Sequence, residues 1–234
     1  TVIHIISDKQ ATKKIEVESK TENKITTHIG YIRQSENPII KWILYYKAYR
    51  EILKKINHFD IVHLNTLYPF GLFALHLKYI KKKPFIISEH WTGYRHPKSK
   101  EISFLQKRIS SFITKKASYI CPVSNNLKMA MLKFGLKGTY QPIPNVVDIV
   151  IFKPVEKKEK LFTIVHVSSM LDEHKNITGM LNTAKQLEKE IGVFTWKFIG
   201  GDSTKYDSLI RTLNFKKANI QFINHISQKE LTAH

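Results

Sequence analysis

Two stretches of this chain hold residue types able to do chemistry at spacings that suggest a site. The first is Ser88-Glu-His-Trp-Thr-Gly-Tyr94, directly after the apolar run Pro84–Ile87. His90 is the member able to trade a proton near neutral pH, and it could hydrogen-bond a sugar or a phosphate. Glu89 could pair with it or hold a hydroxyl, while Trp91 and Tyr94 offer flat apolar faces suited to a sugar or an acyl chain. The competing reading is a loop whose histidine is only structurally satisfied. The second stretch runs from Val167-Ser-Ser-Met-Leu-Asp-Glu-His to Lys175-Asn176. A helix with apolar Ile177, Met180, Leu181, Ala184 and Leu187 follows, which puts Lys175 at its N-terminus. A cation there opposes the helix dipole, which makes sense if an anion such as phosphate binds between Lys175 and free backbone N–H groups. Gly200-Gly201 closes the next apolar run, where glycines let backbone approach a ligand closely. A solvated lysine and an ordinary turn are the plainer readings of these two features.

The elements that must position these residues follow from periodicity. Strand patterns occur at Val2–Ile6, Ile25–Ile32, Asp60–Leu64, Pro84–Ser88, Tyr119–Val123, Leu161–Val167, Thr195–Ile199 and Asn219–Ile223. Helical patterns lie between them at Pro38–Ile56, Phe70–Ile80, Glu101–Lys116, Asn125–Phe134, Asn176–Ile191 and Ser203–Leu213. This alternation, with nearly continuous apolar runs, predicts doubly wound α/β units on parallel sheets. In such sheets ligands bind beyond the carboxyl ends of the strands, which is where both candidate stretches fall. A proline-rich, charged segment without helical period divides the chain. The expected organisation is a Rossmann-like domain over 1–150, a linker over 151–160 and a partial second Rossmann-like domain over 161–234. The chain opens inside one element pattern and closes inside another, so both ends read as cut.

Composition narrows the function classes. Only Cys121 is present, which excludes internal disulfides and cysteine metal clusters and suits a reducing cytoplasm. It reads as a small buried residue in a strand. The formal net charge is +19, yet only five of the 38 basic residues are Arg. A lysine-dominated excess argues against specific nucleic-acid reading and fits an anionic surface, a phosphorylated substrate or plain compositional bias. His90 and His96 lack the acidic or cysteine partners of a zinc site. There is no Walker-type phosphate loop, no Gly-x-Gly-x-x-Gly, no Gly-x-Ser-x-Gly and no His-Glu-x-x-His. Ile102, Leu105, Ile109, Phe112 and Ile113 form an apolar stripe set among Lys100, Lys107, Arg108, Lys115 and Lys116, with Lys81–Lys83 as a further basic cluster. That helix could lie on anionic lipid, or could pack on the sheet with a solvated outer face.

Several motifs taken in order resemble a known family. They are Asp60-Ile-Val-His-Leu-Asn, Ser88-Glu-His-Trp-Thr-Gly-Tyr, Val123-Ser-Asn-Asn-Leu, Pro144-Asn-Val-Val-Asp, His166-Val-Ser-Ser with Lys175-Asn176, Phe198-Ile-Gly-Gly and Ile220-Gln-Phe-Ile-Asn. From Asp60 onward the chain resembles glycosyltransferase family 4, the retaining group 1 transferases of GT-B fold. The resemblance implies two Rossmann-like domains facing across a cleft, the second binding a UDP- or GDP-linked sugar and the first presenting a saccharide or lipid-linked acceptor of the cell envelope. It implies no metal or other cofactor, because cationic side chains and helix N-termini stabilise the leaving diphosphate. By the same resemblance, Lys175 binds the donor diphosphate and His90 stands beside the transferred sugar. Gly200 and Gly201 line the nucleotide pocket, and Ile226 lies near the base. Where the family usually has an Arg, five residues before the lysine, this chain has Met170, a contact that Ser168 or Ser169 would partly replace. The family's Glu-rich helix, its first strand and the glycine loop after that strand are expected to have no counterpart in these residues. The chain alone is therefore expected to lack turnover. The resemblance further implies polysaccharide biosynthesis in the cytoplasm, with peripheral contact at the inner face of the plasma membrane allowed by it. The alternatives are a non-catalytic GT-B-like binding module and a nucleotide-sugar epimerase of the same fold.

Overall fold

The structure, a computed structural model, describes residues 1–11, 13–153 and 161–234. It divides into two compact units, Thr1–Asn145 and Val146–His234. Most of the segment expected as a linker, residues 154–160, lies outside the described residues.

The first unit begins with β1 (Val2–Asp8), β2 (Ile15–Glu22) and β3 (Ile25–Arg33), in the order β1-β3-β2. β1 runs parallel to β3, but β2 runs antiparallel to it. This corrects the all-parallel expectation, and β2 itself was not foreseen. Its alternation is masked by charge, since Glu16, Glu18 and Lys20 stand exposed while only Ile15 and Val17 pack inward. Asn23 and Lys24, both at positive φ (49° and 65°), make the two-residue hairpin turn, and a turn that short can only return the chain antiparallel. α1 (Pro38–Lys54) follows, with proline in its first turn and Asn37 accepting from the Ile39 and Ile40 amides at 2.9 and 3.3 Å. It covers this sheet with Leu44, Ala48, Tyr49 and Ile52.

The rest of the unit alternates regularly: β4 (Val62–Asn65), α2 (Gly71–Ile80), β5 (Phe85–Glu89), α3 (Phe104–Lys116), β6 (Tyr119–Pro122) and α4 (Asn125–Phe134). β4, β5 and β6 form a parallel sheet in that order. Phe85, Ile87, Ile120, Leu127, Met131 and Leu136 are fully buried between sheet and helices, and Cys121 is buried with them. α3 starts at Phe104 rather than Glu101 because Ser103 caps it, accepting from the Gln106 amide at 3.2 Å.

The second unit contains β7 (Thr163–Ser168), the single turn α5 (Asp172–Lys175), α6 (Ile177–Ile191), β8 (Phe194–Gly200), α7 (Asp207–Leu213), β9 (Ala218–Asn224) and α8 (Gln228–Leu231). Its sheet is parallel, in the order β7-β8-β9, and Ser168, Gly200 and Asn224 stand in register at the strand ends. The loops that leave all three strands therefore emerge along one edge. Ile177, Leu181 and Ala184 of α6 pack on Phe194 and Phe198, all fully buried. Glu188, buried in the same helix, accepts from the Lys216, Lys217 and Ala218 amides and from Lys185 Nζ. These bonds tie α6 to the start of β9 and hold the carboxyl far down, from 4.5 to about 2, with the Lys185 bond as the largest cause.

Candidate functional site

In the first unit the chemistry gathers at the carboxyl end of β5. Glu89, the last residue of that strand, is fully buried. Its Oε1 accepts from the His90 and Trp91 amides at 3.0 and 2.9 Å, and its Oε2 from the Leu67 amide at 3.0 Å and the Tyr94 hydroxyl at 3.2 Å. All four bonds are directed at the charged form, which is how a carboxylate without a cation partner is tolerated in an interior. This placement corrects the reading of Glu89 as a group that reaches for an acceptor hydroxyl or pairs with the imidazole. It is the post on which the β4–α2 loop and the His90 loop are hung. Tyr94 is buried too, so its ring offers no open face. Burial, then the charge of Glu89, raises its hydroxyl pKa, and the same two causes push Tyr140 up to about 12.

His90, Trp91 and Thr92 remain exposed on this rim. The Trp91 ring stands edge-on to Tyr94 at 5.1 Å and lies so close over Gly93 that a Cβ there would sit 2.1 Å from it. Nothing larger than glycine fits beneath the indole. His90 is thus presented on a loop whose backbone is fixed from below, as suits a group that must meet a ligand in one geometry. Leu67, which contributes only its amide, carries no sequence signal for that role.

In the second unit Ser169, Gly201 and Ile226 fall in the segments that leave the three strands at one sheet edge, Gly200 ends β8 and Lys175 ends the single turn α5 that follows β7. Gly200 has φ +137°, and a Cβ built on it would lie 1.8 Å from the Ser168 carbonyl oxygen; at Gly201 the distance to the Ser169 oxygen would be 2.2 Å. The two loops therefore touch backbone to backbone, which glycine alone permits. Ser168 Oγ lies 2.8 Å from His166 Nε2 and accepts from the Met170 amide at 3.0 Å. The His166 pKa is lowered, first by burial and then by the charge of Lys175. His166 belongs to this cluster although sequence reasoning did not single it out as a site residue, and the motif that contains it was the available signal; Ser168 was read there as a partial replacement for the missing Arg contact. Ile226 is half-buried in the loop after β9, ahead of the Ser227–Glu230 capping box of α8.

Two expectations change at this rim. Lys175 does precede α6, but the amides there are not free: Thr178 donates to Asp172 Oδ1 at 2.7 Å and Gly179 to Asn176 Oδ1 at 3.1 Å. An anion beside Lys175 would have to turn to the Ser168–Met170 and Gly200–Gly201 loops instead. Met170 does not point into the rim. It is fully buried at φ +52°, and its carbonyl accepts from the Tyr206 hydroxyl at 2.7 Å. Among the described residues no cluster of His, Cys, Asp and Glu is arranged to hold a metal, and no helix is long and apolar enough to cross a membrane.

Comparison with known proteins bears on the fold. Among solved structures, a UDP-forming α,α-trehalose-phosphate synthase from Burkholderia xenovorans is similar at TM-score 0.68 and 11% identity, over 98% of this chain and 69% of that one. An E. coli structure with bound UDP-2-fluoro glucose gives 0.65 at 10% identity, over 99% and 69%. S. aureus TarM, in complex with fondaparinux, α-GlcNAc-glycerol and UDP, gives 0.52 at 14% identity, over 70% of this chain and only 33% of its own. These are GT-B glycosyltransferases, and the mixed α/β units described above are a partial GT-B fold. No curated protein sequence matches the chain. Residues 3–150, well over half of the chain, match the family model described as Glycosyltransferase Family 4, and the chain belongs to that family of glycosyltransferases.

Proposed function

We propose that this protein moves a hexose from a UDP- or GDP-sugar to a saccharide or lipid-linked acceptor, with retention of configuration and without a metal. The observation that carries this reading is the rim of the second unit, where Gly200–Gly201 press their backbone against Ser168–Ser169 and the single turn that follows β7 ends in Lys175. A lysine beside closely approached backbone suits a diphosphate, whose negative charge grows as the sugar departs. Lys175 would neutralise that charge and thereby do what a divalent cation does elsewhere. Ile226 would lie against the base, and His90 would hydrogen-bond the transferred sugar from its braced loop. The UDP ligands of the neighbouring structures, and a trehalose-6-phosphate synthase study framed as glycosyl transfer with retention, support the donor class and the stereochemistry. The lone buried Cys121 suits the cytoplasm.

A non-catalytic module is the second reading, favoured by Met170. A buried apolar side chain at the family's usual Arg position removes one cation from the phosphate site. Calorimetric titration of the chain with UDP-, GDP- and ADP-sugars tests both. Binding of one base class, weakened at least tenfold by Lys175→Ala, is the expected result. No binding by any of them, or equal binding by Lys175→Ala, would overturn the donor assignment.

A further inference from the structure

We propose that the outer face of α1 is a contact between two copies of this chain, set antiparallel about a two-fold axis at Ile43. α1 turns Leu44, Ala48, Tyr49 and Ile52 to the sheet. With about 100° per residue, the direction opposite to these four is that of Ile43, with Ile39 and Ile40 on either side of it. A helix that only covers a sheet is polar on that side. Here Ile39 is 71% exposed, Ile40 49%, Ile43 46% and Tyr46 36%. Helix formation does not ask for these residues, since β-branched side chains lower helix propensity.

The charges at the two ends of the stripe say what covers it. Glu36 stands two residues before the helix and Arg50 in its last third. Both are exposed, and neither forms an ion pair among the described residues. About 20 Å of chain axis separates them, so they cannot meet within one copy. Ile43 is midway between them. Two copies of α1 laid antiparallel with Ile43 facing Ile43 therefore bring Glu36 against the partner's Arg50, twice. In the same register Ile40 faces the partner's Tyr46, and the Lys47 stem covers the partner's Ile39 while its ammonium stays in water. A patch that complements itself in this way is what an isologous contact requires. A polyanion would match Lys47 and Arg50 but not Glu36 or the isoleucines. This inference is independent of the transferase reading.

A single helix pair is at the small end of specific interfaces, so half-association is expected at roughly 10–100 µM. The test is sedimentation equilibrium of the 234-residue chain, in moderate salt that screens the +19 carried by each copy. A dimer is expected, and Ile43→Ser should weaken it at least tenfold with an unchanged circular dichroism spectrum. Glu36→Arg and Arg50→Glu should each weaken it about tenfold, and the chain with both changes should regain most of that loss, because the pair re-forms with its signs exchanged. Under mild oxidation Ile43→Cys should give a disulfide-linked dimer, since a residue on the two-fold axis meets its own counterpart. Ile39→Cys should not, because its counterpart lies about 12 Å away along the helix. The native thiol, Cys121, is buried and does not compete. A monomer at concentrations well above that range would overturn the proposal. So would a dimer that Ile43→Ser leaves intact, or one that Ile39→Cys cross-links as readily as Ile43→Cys, since either marks a contact built elsewhere or in another register.

Discussion

The buried carboxylate of Glu89 is the most exposed to test. Glu89→Gln preserves shape but replaces one acceptor oxygen by a donor, in a site where all four partners donate. The amide can keep its oxygen toward His90 and Trp91. The Tyr94 hydroxyl can rotate to accept, but the Leu67 N–H is then left facing another N–H. An orphaned buried amide costs about 1–3 kcal/mol. The surviving bonds lose their charge assistance, worth roughly another 1–2 kcal/mol. A neutral amide is easier to bury than a carboxylate, which offsets part of this. The net loss should be about 2–3 kcal/mol, or roughly 5–10 °C in the melting of the unit that contains it. The assay is urea denaturation followed by circular dichroism, run as a double-mutant cycle with Tyr94→Phe. A coupling of about 1 kcal/mol is expected, because each single change removes the same charge-assisted bond from the Tyr94 hydroxyl to Glu89. Wild-type stability in Glu89→Gln, or strict additivity with Tyr94→Phe, would refute the assignment of Glu89 as the support of the His90 loop.

Other outcomes follow from the same geometry. Gly200→Ala places a methyl 1.8 Å from the Ser168 carbonyl oxygen at φ +137°, and should destabilise the second unit by at least about 3 kcal/mol in chemical denaturation. Glu188 has its folded pKa depressed from 4.5 to about 2, so its contribution is complete above pH 4.5 and is lost as pH falls towards 2. An acid titration followed by circular dichroism should show Glu188→Gln flattening that part of the stability profile of the second unit. The His166 imidazole should titrate below its ordinary 6.5 in NMR, and Lys175→Gln should move the midpoint upward by removing the nearby positive charge. An unmoved midpoint would place Lys175 away from that rim.

The resemblance and the periodicity carried a good deal of the architecture. The β4-α2-β5-α3-β6-α4 run and the β7-α6-β8-α7-β9 run were legible because strands and helices write different periods into the chain. β2 was not, because a charged edge strand with only Ile15 and Val17 turned inward shows almost no alternation. The two candidate rims were also legible, since strand ends can be counted. Their internal organisation was not. Glu89 at a strand end next to a histidine looks like a reagent, and only the arrival of the Leu67 amide and the Tyr94 hydroxyl makes it a support. The stripe on α3 gave a helix face, yet not which apolar residues the sheet would take and which it would leave to solvent.

By itself, then, the sequence determined the family, the alternation of elements and the placement of His90 and Gly200–Gly201 at strand ends and of Lys175 just before α6. These depend on residue order and local period. The tertiary structure decided which polar groups lose their water: Glu89 and Glu188 are claimed by backbone amides, the start of α6 by Asp172 and Asn176, and Met170 by the core. That decision depends on partners distant in sequence, and local pattern cannot specify them.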